Sequence, residues 1–318
     1  MNQRIKVGII GVGIVGERFI KALQSHERAH ILGIYDTNGE RLSYISEKYQ
    51  LNTVGDYKEI LDDNEIDLIY LAVPPKYHHP IGMEIINAGK HFICEKPLAN
   101  SVEEAEAMWQ GAKGKGIVNA INFPTVYTSA FKKMKALLEE GYIGHLRRVE
   151  LKGYFQQWPR FWQQTDWIAT REQGGFVREV FTHYAQILQS LYGRMENIHS
   201  TIEYPKDPLK SEDGIVATAS FKDGTRVLIN GLSDIGMKDH LALTLYGSKG
   251  VISLENWREL WLSSNEGGPN RLDIEDNNHL VELIDEVFKA IDQKPSHVVS
   301  FEEGYHAQIV IEKLLGNY

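Results

Sequence analysis

Ile5-Lys-Val-Gly-Ile-Ile10-Gly11-Val-Gly13-Ile-Val-Gly16 decides the reading of the first third of the chain. Ile5, Val7 and Ile9 alternate and Ile10 runs into Gly11, the pattern of a buried strand that ends in a glycine turn. Val15, Phe19, Ala22 and Leu23 then recur at helical spacing, so a helix follows the turn directly. Each glycine has a physical task. The first permits the tight turn, the second lets a diphosphate approach the backbone, and the third lets helix and strand pack closely. Phosphates would face the N–H groups and positive dipole end of the helix. Gly11, Gly13, Ile14, Val15 and Gly16 are therefore the expected nucleotide-binding turn, placed between a strand and a helix as that chemistry requires.

Working outward, residues 31–36 read as a second strand ending at Asp36, which lies 20 residues beyond Gly16. A carboxylate there can accept hydrogen bonds from both ribose hydroxyls of adenosine and repels a 2′-phosphate, which favours NAD over NADP. Asn38 and Arg41 are close enough to soften that preference, and a simple strand-end turn is the plainer reading of Asp36. Residues 67–73 form a near-continuous apolar run, as in a strand covered on both faces, and 91–94 and 117–121 read as further strands. Between them, residues 81–88 stop at Gly89, and Ser101 with Glu104 forms a capping box. Strands alternating with helices predict an α/β, Rossmann-type, doubly wound parallel sheet over residues 1–122.

The pattern changes after Asn122. A helix over 131–140, stopped by Gly141, is followed by hairpin signals at Asp223-Gly224 and at Gly247-Ser-Lys-Gly250. These predict a second, α+β domain over 123–300 with a large, mostly antiparallel, open-faced sheet. Two helices close the chain, over 280–291 and 302–315, the latter opened by a Ser300/Glu303 capping box. Residues 203–213 read as a loose polar loop.

Length and composition narrow the class. A chain of 318 residues suits two domains, and 42% apolar with 24% charged residues is the profile of a folded globular protein. A net charge of −9 implies no basic surface for nucleic acid or anionic lipid. Cys94 is the single cysteine, so no intrachain disulfide or cysteine zinc cage can form, and it reads as a buried strand residue. His78-His79 has no nearby carboxylate or cysteine at ligand spacing, so no metal is expected. No leader pattern opens the chain and no run approaches the ~20 apolar residues of a membrane span, which makes the cytoplasm the expected compartment.

Taken together, these features resemble the glucose–fructose oxidoreductase and inositol dehydrogenase family (Gfo/Idh/MocA). Ala72-Val73-Pro74-Pro75-Lys-Tyr-His78 is similar to the family's loop after its fourth strand. Ala88-Gly-Lys-His91 leading to Glu95-Lys96-Pro97-Leu-Ala99 is similar to its most diagnostic motif. Glu140-Gly-Tyr-Ile-Gly144, and Asp166-Trp167 through Gly174-Gly175 to His183, continue the match, which is weakest beyond residue 200. The resemblance implies that Val73, Pro74, Pro75, His78, Glu95 and Lys96 line the coenzyme, and that Lys96 contacts the substrate hydroxyl or its proton relay. It also implies that the 301–318 helix returns to the first domain and that substrate binds between the domains. Homodimers or homotetramers through the second domain's sheet are the implied assembly.

The chemistry agrees with those roles. Oxidising an alcohol requires hydride departure together with removal of the hydroxyl proton. A lysine beside a cationic, oxidised nicotinamide would have its pKa lowered toward a useful range, whereas the plainer reading is a surface lysine before a proline. His183 falls off the apolar stripe Val180, Tyr184, Ile187, Leu188 and Leu191, together with Glu179 at i−4. The pair reads as acid and base, with Glu179 orienting the ring and favouring its protonated form, or as a histidine that merely lines the helix face. The family usually has aspartate at the position of Glu179 and a small residue at that of Phe181, so Phe181 is expected to take space that a sugar ring would use.

Tyr154, Gln156, Trp158, Trp162, Asp166 and Trp167 crowd the stretch before the Gly-Gly bend and suit a polyhydroxylated ring; an aromatic corner or a subunit contact fits them equally. Asn122, expected to meet substrate, and Tyr127 stand where relatives often carry an arginine, and none lies between Asn119 and Ser129. The expected activity is NAD(H)-dependent hydride transfer to or from a secondary alcohol or ketone of a sugar, inositol or related polyol. The alternatives are a reductase of an imine or conjugated pigment, NAD-assisted glycoside cleavage, or a non-catalytic NAD(H)-binding sensor.

Overall fold

Five short strands, nearly all of them buried, build the first sheet: β1 (Ile5–Ile10), β2 (Ala29–Tyr35), β3 (Leu68–Leu71), β4 (His91–Cys94) and β5 (Asn119–Ile121). Every pairing is parallel and the order is β2-β1-β3-β4-β5. The central strand β3 has all four side chains buried, as expected where both faces are covered, whereas the edge strand β2 is mostly half-exposed. The helices α1 (Ile14–Gln24), α2 (Gly39–Tyr49), α3 (Tyr57–Asp62), α4 (His78–Asn87) and α5 (Val102–Lys115) connect the strands. Their starts are fixed locally: Asn38 accepts from the Arg41 N–H, Asp56 and Glu59 form a capping box, and Ser101 accepts from the Glu104 N–H. Because the chain passes from β2 back across β1 to β3, the order reverses between β1 and β3. The crevice at their carboxyl ends is the switch point where such sheets bind ligands.

The computed structural model describes residues 4–163 and 165–318. After α6 (Ser129–Glu139) the chain enters an eight-stranded sheet, made of β6 (Leu146–Tyr154), β7 (Glu196–Glu203), β8 (Gly214–Ser220), β9 (Arg226–Leu232), β10 (His240–Gly247), β11 (Gly250–Glu255), β12 (Glu259–Ser264) and β13 (Gly267–Leu272). Its order is β13-β12-β11-β10-β6-β9-β8-β7, and only the β6–β9 pairing is parallel. The hairpins at Asp223-Gly224 and Gly247–Gly250 are present as the β8–β9 and β10–β11 pairs. One face packs on α6 and on α7 (Thr182–Tyr192), in a core that includes Phe131, Met134, Tyr184 and Leu188. The other face carries the exposed Arg148, Val216 and Asn230 among half-buried neighbours.

The chain divides into two units, one running up to Pro124 and including Asn278–Tyr305, the other comprising Thr125–Asn277 and His306–Tyr318. A continuous second domain over 123–300 therefore does not describe it. α8 (His279–Ile291) belongs to the first unit, where Asp292 just beyond it pairs with Arg28 at 3.0 Å and Phe288 meets His26 edge-on at 4.9 Å. An amphipathic pattern announces such a helix but not the surface it covers. α9 (Phe301–Leu314), opened by the Ser300/Glu303 box, belongs to the first unit through Tyr305 and to the second from His306 onward. Among the described residues no helix is long and apolar enough to cross a membrane, and no group of three or more His, Cys, Asp or Glu could hold a metal.

Candidate active site

The glycine turn has the shape its sequence implies. Gly11 takes φ +95°, and a Cβ there would stand 2.2 Å from the Ala72 carbonyl oxygen. A Cβ on Gly16 would stand 2.2 Å from the Gly11 oxygen, so α1 and the turn touch through backbone alone. Gly13 is different: nothing lies within 4 Å of the position a Cβ would take. This gap opens at the start of α1, whose N-cap is Gly13 itself and makes no side-chain cap. Ile14 and Val15 flank it with apolar side chains 45% and 41% exposed. Glycines that bring backbone close, an uncapped helix start and uncovered apolar side chains fit a bound dinucleotide diphosphate.

Asp36 follows β2 and braces this turn, its Oδ2 accepting the Val12 N–H at 2.8 Å and its Oδ1 the Asn38 N–H at 2.9 Å. Arg41 braces it from the other side. Its Nε donates to the Val12 carbonyl at 2.9 Å and its Nη2 to Glu17 at 2.6 Å.

Next to the turn, the bend Val73-Pro74 and the short 3₁₀ turn Pro75–Tyr77 follow β3, the third strand in chain order. His78 is fully buried, and its two ring nitrogens lie 2.8 Å from the carbonyl oxygens of Pro97 and Val73. It therefore ties the Val73 loop to the Lys96-Pro97 turn. Burial holds its pKa below the usual histidine value, against the pull of those two carbonyls. Glu95 is buried too. The Tyr70 hydroxyl and the Asn122 amide both donate to its Oε1, and burial raises its pKa. Asn122, expected to meet substrate, thus spends its amide N–H on Glu95, at the base of the half-exposed Lys96.

In the second unit, α7 is preceded by a π-helical turn over Val177–Phe181. Glu179 and His183 occupy half-exposed positions of this segment, in which most neighbours are buried. The His183 ring meets Trp257 edge-on at 5.3 Å, and Tyr184 stacks on the same indole at 4.9 Å. Arg160 pairs with Asp239 at 3.2 Å and lies in the field of Tyr184 and Glu179, while burial lowers its pKa. The approach of Trp257 to His183, and of Arg160 to Asp239, was not legible in the sequence. Trp257 sits at φ +74° in the β11–β12 turn, far from His183 in sequence, and Arg160 has no motif around it.

A family model described as "Oxidoreductase family, NAD-binding Rossmann fold" matches residues 5–123, and one described as "GFO/IDH/MocA C-terminal domain" matches residues 131–253. The chain belongs to the Gfo/Idh/MocA oxidoreductases. Its nucleotide fold is accordingly an NAD-binding one. It is 26% identical over 290 residues to levoglucosan dehydrogenase of Pseudarthrobacter phenanthrenivorans, covering 79% of this chain and 73% of that one. It is 30% identical over 145 residues to scyllo-inositol 2-dehydrogenase (NADP(+)) IolU of Bacillus subtilis, covering 45% and 44%. A solved levoglucosan dehydrogenase in complex with NADH has the same fold, with TM-score 0.87 at 22% identity over 99% of this chain and 97% of that one.

Seen as a Gfo/Idh/MocA protein, the chain departs from expectation chiefly in its aromatic residues. Phe181 does not occupy sugar space: it is fully buried and packs on Gly153 and Gly231, where a Cβ would come within 2.4 and 2.9 Å of its ring. Trp158 is an aromatic corner, its indole N–H donating to the Ile168 carbonyl at 3.3 Å and its ring set against Phe155 and Phe176. Tyr154 ends β6 and is half-buried, as is Trp167; Trp162 and Asp166 are exposed. Cys94 is buried, and burial raises its thiol pKa well above the usual value.

Proposed function

We propose that this oxidoreductase moves a hydride between NAD(H) and a secondary alcohol or ketone of a sugar, inositol or related polyol. The observation that carries the reading is Lys96, set on a turn that Glu95, Tyr70, Asn122 and His78 hold from beneath, in a chain matched by family models in both of its units. The dehydrogenases named above, acting on levoglucosan and on scyllo-inositol, support a polyhydroxylated substrate.

NAD, when bound, supplies the hydride acceptor. The backbone N–H groups of Gly13, Ile14 and Val15 would hold its diphosphate, and Asp36 its adenosine ribose. Val73, Pro74 and Pro75 would shape the nicotinamide side, with Glu95 as the fixed base of the site. Lys96 would take the proton from the substrate hydroxyl, and return it in the reverse direction. His183 would serve as the second proton-handling group, kept in orientation by Glu179 and Trp257. Trp162, Asp166, Trp167 and Tyr154 are the candidates for contact with the substrate ring.

The exposed face of the eight-stranded sheet, with Val216 outward, supports homo-oligomer formation through that face. A single, buried cysteine suits a reducing compartment such as the cytoplasm. The test is a panel of sugars, polyols and oxidised sugars, assayed with NAD and NADP in parallel. Turnover of at least one of them with NAD is the expected result. NADH binding without turnover across the panel would favour a sensor instead.

A further inference from the structure

Glu17, in the first turn of α1, pairs with three cations: Arg41, Lys48 and Lys21. Its Oε2 receives the Arg41 guanidinium at 2.6 Å, and its Oε1 receives Lys48 at 2.9 Å and the Tyr49 hydroxyl at 2.7 Å. Lys21 stands one helical turn further on, at 3.8 Å. The Glu17 side chain is 15% exposed, while Lys48 and Lys21 around it are 40% and 59% exposed. Partial burial alone would raise its pKa. Hydrogen bonds from Tyr49, Lys48 and Arg41 outweigh that and pull it down to about 2, so the carboxylate stays charged at neutral pH.

The consequence falls on Arg41. Besides Glu17, its guanidinium donates to the Val12 carbonyl at 2.9 Å and the Gly13 carbonyl at 3.3 Å. The N–H of Val12 is meanwhile taken by Asp36. The acidic side chain assigned to the adenosine ribose and the neighbouring arginine are thus both locked onto the same residue of the turn. A 2′-phosphate needs a planar, bidentate cation turned toward it. The Arg41 guanidinium is instead engaged by Glu17 and the Val12 and Gly13 carbonyls.

We propose that Glu17 sets the chain's preference for NAD, by holding Arg41 on the glycine turn and so denying its guanidinium to a 2′-phosphate. Asp36 repels that phosphate, and Glu17 removes the cation that would offset the repulsion. The inference rests on the assignment of the glycine turn and Asp36 to the coenzyme.

The test is the affinity of NADH and of NADPH, measured by calorimetry on the wild type, Glu17→Gln, Arg41→Ala and the double variant, with thermal melting as the control for folding. Glutamine keeps an acceptor for Tyr49 but no charge to hold Arg41. Glu17→Gln is expected to shift the affinity ratio toward NADPH by roughly tenfold or more, the worth of one freed charge-assisted fork. The double variant is expected to lose that gain. Arg41→Ala alone is expected to leave the ratio within about twofold of the wild type, because the phosphate never had that arginine. An unchanged ratio in Glu17→Gln overturns the proposal, as does a roughly tenfold shift toward NADH in Arg41→Ala alone. Should Glu17→Gln fail to fold, the Arg41→Ala ratio decides. A wild type that binds neither coenzyme would instead sink the site assignment, one that binds NADPH more tightly than NADH would sink the preference for NAD, and the proposal falls with either.

Discussion

Glu212 Oε1 accepts the backbone N–H of Val177 at 2.8 Å, so a buried carboxylate closes the start of the helical segment that carries Glu179 and His183. Gly175 makes room for it: a Cβ there would stand 2.2 Å from Glu212 Oε2, and φ is +95°. Burial pushes the Glu212 carboxyl up to about 7, against the opposing pull of the Val177 N–H and Arg178; Asp213 pushes it further upward.

Glu212 should therefore contribute to the pH dependence of stability. The folded state binds the Glu212 proton more tightly than the unfolded chain does, at about 7 against 4.5. Its contribution is fully present below the unfolded value and is lost as pH rises through that window, on the order of 3 kcal/mol in all. Glu212→Gln should flatten the slope, leaving the variant more stable than the wild type at about pH 8 and close to it at about pH 5. Urea midpoints at the two pH values check this. An equal difference at both would remove Glu212 as the cause.

Phe181 offers a second check, because it lies on a pair of glycines that face each other across β6 and β9. Gly231→Ala would put a methyl carbon 2.6 Å from Phe176 and 2.9 Å from Phe181. The expected cost is about 1–3 kcal/mol, as for overpacking elsewhere. Adding Phe181→Leu should recover part of it, since the larger ring is what the glycines accommodate. Chemical unfolding of the single and double variants reads the coupling.

Much of this was legible in the sequence, for reasons that differ by element. The inner strands β1, β3 and β4 of the first sheet are nearly all buried, so apolar runs announced them, and the glycine turn was confined by backbone contacts that only glycine allows. The capping box at Ser300 is local and was equally readable, as was the Ser101 cap, although Glu104 there reaches back to the Asn100 N–H and not to Ser101. Contacts made by single side chains over long sequence distances were not. Glu212 sits in a stretch that reads as a polar loop, yet it is buried under Val177. His78 reads as a loop histidine because nothing in the sequence reveals two carbonyls converging on its ring. The π-helical turn before Thr182 leaves the i, i+4 spacing of Glu179 and His183 intact in sequence while changing the turn between them.

His78 should matter to catalysis more than to coenzyme affinity. Its ring joins the Val73 and Pro97 carbonyls, and Lys96 immediately precedes Pro97. His78→Ala removes that tie and leaves one buried carbonyl short of the N–H that the neutral ring supplies, at a cost of about 1–3 kcal/mol if water does not replace it. In variant that remains folded, kcat should fall roughly tenfold or more while NADH affinity changes little. A loss confined to NADH affinity would show that the ring serves the coenzyme after all.

The account stands or falls on Lys96 as the group that handles the substrate proton. The most direct measurement follows nicotinamide absorbance under saturating NAD and a polyol that the wild type turns over, in wild type and Lys96→Ala, with NADH affinity measured on both. The predicted result is a fall in kcat of roughly 10²–10⁴-fold in the variant, with NADH binding retained. Undiminished turnover in Lys96→Ala would contradict it.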